Sequence, residues 1–221
     1  LTKAVGAPVV IRPAMNWITY QRDMKDGLHD IVFDSPAFIG WRMAKHDYTP
    51  IAKIEGALTF SVIVRKDEAR AQQVKDLAGY PVCTFPAPNM ATLVLNDQFD
   101  NPARQPLVMH ITNFKDAYMG LIKGRCRAAM IPSVMVGKLD QQQMTRTLYQ
   151  SGPFPNPAFA VRQNLPPELR QKIAAALLSP EGATATAMLR AEFGGKNLVA
   201  AGKEEYAGLG KLLKDIWGLE L

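Results

Sequence analysis

Short apolar runs alternate along this chain with helix-length segments, and that alternation constrains the fold more than any other feature. "APVVIRP" (7–13), "HDIVF" (29–33), residues 81–85, "QPLVMHI" (105–111), "CRAAMIP" (126–132), "TRTLYQ" and "PAFAVR" all read as strands. Residues 14–26 read as a helix, with Met15, Ile18 and Met24 on an imperfect apolar face and Gly27 as its stop. "SPAFIGWRMAK" (35–45) opens with Ser then Pro, the N-cap and N1 preference. Further helices are predicted ahead of Gly79, from about 89, over 114–124, and briefly after 132. Strand–helix alternation is the signature of an α/β protein. Near-continuous apolar strands predict mostly parallel sheets covered by helices on both faces.

Two stretches break the rhythm. "LTFSVIVRKD" (58–67) is a longer β-rich run, and prolines 153, 155 and 157 make an extended crossing before "PAFAVR". They predict chain crossings near 58–66 and 153–162, and so two lobes with a cleft: 1–60 with 158–221, and 61–157. After the second crossing "LPPELRQKIAAALLS" is a helix, with Leu169, Ile173, Ala176 and Leu177 on one face. Residues 180–193 and 204–217 read as further helices.

The 221 residues suffice for two small lobes with separate cores. No apolar run approaches the roughly 20 residues that span a bilayer. No basic-then-apolar leader opens the chain, so an export signal is expected to be removed or lacking. The formal charge is +6, but Lys and Arg are scattered without interleaved aromatics, which argues against nucleic-acid binding and fits a modest pull on small anions. His29, His46 and His110 lack metal-ligand spacing, and there is neither a G-x-S-x-G elbow nor a glycine-rich phosphate loop. Cys83 lies inside a strand, away from any activated helix terminus. The expectation is therefore no catalytic residue, no metal and no cofactor. Cys83 and Cys126 are two buried thiols or one disulfide; their spacing leaves both open.

In this order the segments resemble the type 2 periplasmic solute-binding proteins, specifically the phosphate/phosphite/phosphonate (PhnD-like) group of ABC-transporter binding proteins. "GLHDIVFDSPAF" is similar to that group's G-x-x-DI-x-F-x-x-P segment. "FSVIVRKDEARAQQVKDLAGYPVCTFPAPN" resembles its crossing strand, D-L-x-G step and ligand elbow. "KDAYMGLIKGRCRAAMIPS" resembles the facing helix–Gly–strand unit, and "GPFPNPAFAVRQNLPPELRQKIAAALLS" the return crossing and C-terminal helices. The resemblance implies a two-lobed fold that closes by a hinge on a small-molecule ligand. It also implies a membrane permease as partner, a periplasmic or otherwise extracytoplasmic location, and a monomer. The chain opens on what resembles the tail of the group's first helix, so the first strand of lobe 1 is expected to be missing from its sheet. The rival readings are a ligand-sensing domain of a signalling system and a small-molecule enzyme on the same fold.

The resemblance also places the site. The group's Ser-Thr-Ser-Gly run falls on Met90, Ala91, Thr92 and Leu93, with Asn89 before it, or, shifted by one residue, on Asn89, Met90, Ala91 and Thr92; its helix-opening His falls on Phe114, and its strand carboxylate on Arg127. Expected ligand contacts are Asn89, Met90, Ala91, Thr92, Phe114 and Ser133 in lobe 2, with Trp17, Ser35 and Phe38 in lobe 1. Asn89, Ser35 and Ser133 each also read as a helix cap. With Met90 and Phe114 where polar contacts would stand, a less charged or more apolar ligand is expected.

Overall fold

A computed structural model describes residues 1–219, the side chain of Trp17 excepted, so the expected ligand contact at Trp17 lies outside the described residues. The chain divides into two compact units, unit 1 of residues 1–56 and 155–211, and unit 2 of residues 57–154 and 212–219.

Unit 1 begins with α1 (Thr2–Val5), α2 (Trp17–Lys25), β1 (Ile31–Asp34), α3 (Pro36–His46) and β2 (Tyr48–Ile54). Unit 2 contains β3 (Ala57–Leu58), β4 (Phe60–Arg65), β5 (Pro81–Thr84), α4 (Met90–Asn96), β6 (Leu107–His110), α5 (Phe114–Ile122), β7 (Ala128–Pro132), α6 (Ser133–Leu139) and β8 (Thr145–Gln150). The chain then passes through β9 (Phe154–Pro155) into β10 (Ala158–Arg162), α7 (Pro167–Leu178), α8 (Pro180–Ala185), α9 (Ala187–Glu192), β11 (Leu198–Ala200) and finally α10 (Lys211–Trp217).

The sheets are mixed rather than mostly parallel. In unit 1 the order is β1-β10-β2-β11, and every neighbouring pair is antiparallel. β1 and β2, joined through α3, do run the same way, as a strand–helix–strand unit requires. β10 comes back from the far part of the chain and inserts between them in the opposite direction. Unit 2 has the order β6-β5-β7-β4-β8, with β5 parallel to β6 and β7, and β4 antiparallel to β7 and β8.

Residues 7–13 form no strand, contrary to the sequence expectation. β1 is an edge of its sheet, and the segment does not pair with it. Without ladder bonds two of its apolar residues stay in water, Val10 84% exposed and Ile11 87%, and Val9 packs only part-buried against the core. The predicted helix before Gly79 shrinks to a single turn over Val74–Leu77, held by a Gln73–Asp76 capping box. The segment 204–217 is helical only in its second half.

The core of unit 1 gathers Val32, Ile39, Tyr48, Ala158, Ala160 and Tyr206 on one side, and Val5, Ala52, Val161, Ile173 and Leu177 on the other. α3 lies so close to the 206–210 turn that a Cβ on Gly40 would meet the Gly210 nitrogen and the Tyr206 carbonyl oxygen at 2.7 Å each. Backbone cannot yield as a side chain does. Gly40→Ala is therefore expected to lower stability by about 1–3 kcal/mol, the usual range for overpacking, measured by denaturant unfolding; an unchanged midpoint would count against the close approach.

Unit 2 packs Ile63, Cys83, Ile111, Ala117, Leu121, Cys126, Ala129 and Ile131 together. Within this core Cys83 and Cys126 form a disulfide, which answers the question left open by their spacing. It ties β5 to the entry of β7. Disulfides persist in oxidising compartments and are rare in the cytosol.

Candidate functional site

In unit 2 the strand register brings four chain segments to one end of the sheet. β5 and β7 run in parallel, so Thr84 and Pro132 finish at the same end; β4 is antiparallel and starts there, with Phe60 opposite Pro132. β6 finishes there too, with Thr84 opposite His110. This is the carboxyl end of the parallel strands, where open α/β sheets bind ligands.

The elbow from β5 to α4 runs Phe85-Pro86-Ala87-Pro88-Asn89, with a cis bond between Ala87 and Pro88. Asn89 is the N-cap of α4, and its Oδ1 accepts from the Ala91 N–H at 3.0 Å. Capping is therefore a role it fills. Met90, Ala91 and Thr92 have buried side chains. The Thr92 hydroxyl is turned inward and donates to the Phe85 carbonyl oxygen. Among the described residues the Met90 and Thr92 N–H groups have no acceptor, so the elbow offers backbone donors in place of hydroxyls.

The hydroxyl chemistry lies next door. The Ser133 and Ser61 hydroxyls meet at 2.8 Å, and the Ser133 N–H donates to the Thr59 carbonyl oxygen. Ser133 opens α6 without capping it through a side-chain bond: the N-cap is Pro132. The Thr84 hydroxyl is buried and has no hydrogen-bond partner among the described residues. Phe114 begins α5, behind the Asn113 cap, and meets Phe85 edge-on at 4.9 Å between ring centroids. Ser61, Thr84 and Phe85 escaped the sequence reading. For Ser61 and Thr84 a signal existed: a hydroxyl in a strand otherwise apolar on both faces, save for Arg65 at the end of β4.

Asp140, at the end of α6, holds the adjoining loop. Burial pushes its carboxyl up, but donors from the Thr145 hydroxyl, the Met144 and Thr145 N–H groups and the Tyr118 hydroxyl outweigh that and keep it below the usual range. Tyr118 is thus a structural residue, as is Trp41, which is buried in unit 1. Lys115 is exposed. Arg127 stands at the start of β7, at the other end of the sheet from the elbow, paired with Glu68.

Unit 1 has its own strand-to-helix elbow, from β1 into α3. Pro36 takes the first helical position and Ser35 the N-cap, yet Ser35 makes no side-chain cap bond. Its hydroxyl oxygen is buried and without a partner among the described residues. Phe38 is buried in the first turn of α3. Behind the elbow, Asp34 accepts from Arg42 Nε at 2.7 Å and from the Tyr20 hydroxyl at 2.7 Å, and Arg42 also donates to the Tyr20 oxygen at 2.9 Å. Burial and then Asp34 push the Tyr20 phenol upward. Burial and then Arg42 push His29 downward, which favours its neutral form. Among the described residues no His/Cys/Asp/Glu group could hold a metal ion, and no helix is long and apolar enough to cross a membrane.

Two α/β units with ligand-type elbows and a chain that passes between them three times, the last at the start of α10, define a periplasmic-binding-protein fold, and solved structures agree. XAC2383 from Xanthomonas citri bound to ATP is similar with a TM-score of 0.75 at 14% identity, covering 99% of this chain and 90% of that one. PhnD1 from Prochlorococcus marinus (MIT 9301) in complex with methylphosphonate gives 0.71 at 10% identity, covering 99% and 89%. A binding protein component of an ABC phosphonate transporter (PA3383) from Pseudomonas aeruginosa gives 0.65 at 12% identity, covering 96% and 76%. No curated protein matches the chain. The profile of the phosphonate ABC-transporter periplasmic substrate-binding proteins matches residues 1–206. The chain belongs to that family, and it is a substrate-binding component of an ABC transporter. The family is one of transport proteins rather than enzymes, and it places the chain outside the cytoplasm.

Proposed function

We propose that this protein captures an organophosphonate carrying an apolar substituent in the periplasm and presents it, as a monomer, to the membrane permease of an ABC transporter without transforming it. The observation that carries this reading is the match of residues 1–206 to the phosphonate-binding family. The disulfide supports an oxidising compartment.

The elbow of unit 2 supports the ligand chemistry. Asn89, the Met90 and Thr92 N–H groups and the Ser133 hydroxyl are donors for phosphonate oxygens, with Ala91 small enough to let the backbone approach. Phe114 and Phe85 give the substituent an apolar wall. Ser35 in unit 1, whose hydroxyl has no protein partner among the described residues, is proposed as a further contact, with Phe38 shaping its turn. A charge-assisted hydrogen bond from a positive side chain is about twice as strong as a neutral one, and none of these donors is charged. The headgroup is therefore held less tightly, and the substituent contributes more.

Calorimetric titration with phosphate, methylphosphonate and phenylphosphonate tests the proposal. Phenylphosphonate is expected to bind at least about tenfold tighter than phosphate, a difference near 1.4 kcal/mol that burying part of a ring readily supplies. Tight phosphate binding equal to that of both phosphonates would overturn the apolar part. Failure of every phosphonate to bind would overturn the ligand class.

A further inference from the structure

At the opposite end of unit 2's sheet from the elbow lies a cavity of about 440 Å³. β5 separates the two places by its four residues, about 13 Å at 3.3 Å per residue. The last residue of β4, the loop that follows it and the entries of β5 and β7 line the cavity. The lining residues that matter are Arg65, Glu68, Arg70, Tyr80 and Arg127, with Asp67 at the rim.

Both carboxylates here are already engaged. Glu68 takes two bonds from Arg127, Nε to Oε2 at 3.2 Å and a terminal nitrogen to Oε1 at 3.1 Å, and Oε1 also accepts the Arg70 and Ala71 N–H groups. The Arg127 guanidinium also stacks on Tyr80, 3.8 Å from the ring centroid. Asp67 accepts from Arg65 Nε at 3.1 Å. Two cationic forks remain. The terminal nitrogens of Arg65 and the whole side chain of Arg70 have no hydrogen-bond or ion-pair partner among the described residues. Guanidinium forks match phosphate oxygens in geometry and charge, and two of them suit a dianion better than a single carboxylate. The volume exceeds what one phosphate ion fills, and the Tyr80 ring, 43% exposed, offers a face or edge to an organic group.

We infer that this cavity is a second binding site, for a small organic phosphate, with Arg65 and Arg70 holding the phosphoryl group and Tyr80 the organic part. The inference stands on residues that the proposed solute site does not use.

Titration of the ¹⁵N-labelled protein with phenyl phosphate, followed by amide shifts, tests it. Saturable shifts are expected at Arg65, Arg70, Tyr80, Gly124 and Arg127. In Arg65→Gln/Arg70→Gln, whose side chains are partly or largely exposed, the affinity read at those amides should fall at least about tenfold, as loss of charge-assisted bonds predicts. Affinity read at Asn89 to Thr92 should stay within about twofold, since no charge there is altered. Tyr80→Ala should weaken phenyl phosphate and leave inorganic phosphate unchanged. Absence of saturable shifts at the five amides, or equal binding by the double variant, would overturn the site. Inorganic phosphate binding there as tightly as phenyl phosphate would overturn the organic part. Shifts confined to Asn89–Thr92 would also overturn this site, while leaving the proposed transport function standing.

Discussion

Replacing Arg42 by Met is expected to lower the unfolding free energy by about 3–5 kcal/mol, the cost of stranding one member of a buried ion pair. Arg42 is fully buried, and its Nε bond to Asp34 is short and charge-assisted. Met fills much of the same volume, so packing alone predicts a small loss. What remains is Asp34, 9% exposed, with the Tyr20 hydroxyl still donating to it but no cation beside it among the described residues. The double variant Arg42→Met/Asp34→Leu removes both charges and should recover a large part of the loss, because apolar replacement of a whole buried pair is often neutral. Urea unfolding of the wild type, the single and the double variant reads the cycle. A single-variant loss under about 1 kcal/mol would show that the pair does not hold the β1–α3 elbow. Ser35 follows Asp34 directly, so the same single variant should weaken solute binding if Ser35 touches solute.

The β-α alternation makes much of the architecture legible in the sequence. Ser35-Pro36 announced α3, Gly124 stopped the helix before β7, and the proline cluster marked the return into β10. Strand direction was not legible, because an apolar run such as "PAFAVR" looks the same whichever way it inserts between neighbours. β2 was missed because Thr49 and Lys53 interrupt its apolar residues; only the register shows Tyr48, Pro50, Ala52 and Ile54 turned to the core. Residues 7–13 failed in the opposite sense: the composition is right for a strand, but a strand needs a partner, and Pro8 and Pro13 remove two donors from the segment. At the site, Asn89 and the elbow could be placed from sequence. The inward turn of the Thr92 hydroxyl and the Ser61–Ser133 pair could not, since both arise from contacts across the fold.

Loss of the Cys83–Cys126 disulfide is the other large effect expected. The bond closes a loop over a sequence separation of 43. The chain-entropy relation gives about 4 kcal/mol for a loop of that length, at the upper end of the usual 2–4 kcal/mol. A Cys→Ala pair would add a packing defect, because both residues are buried in unit 2's core. Unfolding the wild type in reductant, then comparing transitions with and without reductant, keeps both sulfur atoms in place and isolates the cross-link. The expected outcome is a midpoint lower by roughly 16–32 °C in the transition of unit 2, from 4–8 °C per kcal/mol for a domain of that size. Reductant added to the folded protein should act slowly, since thiol exchange requires access to a sulfur and both are buried. A shift under about 3 °C would mean that the reduced chain recovers the same unfolded-state freedom at little cost, contrary to the entropic account. Cys83 also immediately precedes Thr84, where β5 meets the elbow. Reduced protein that keeps its fold at low temperature should thus bind phenylphosphonate more weakly, because the strand end that positions the elbow has lost its covalent tie to β7.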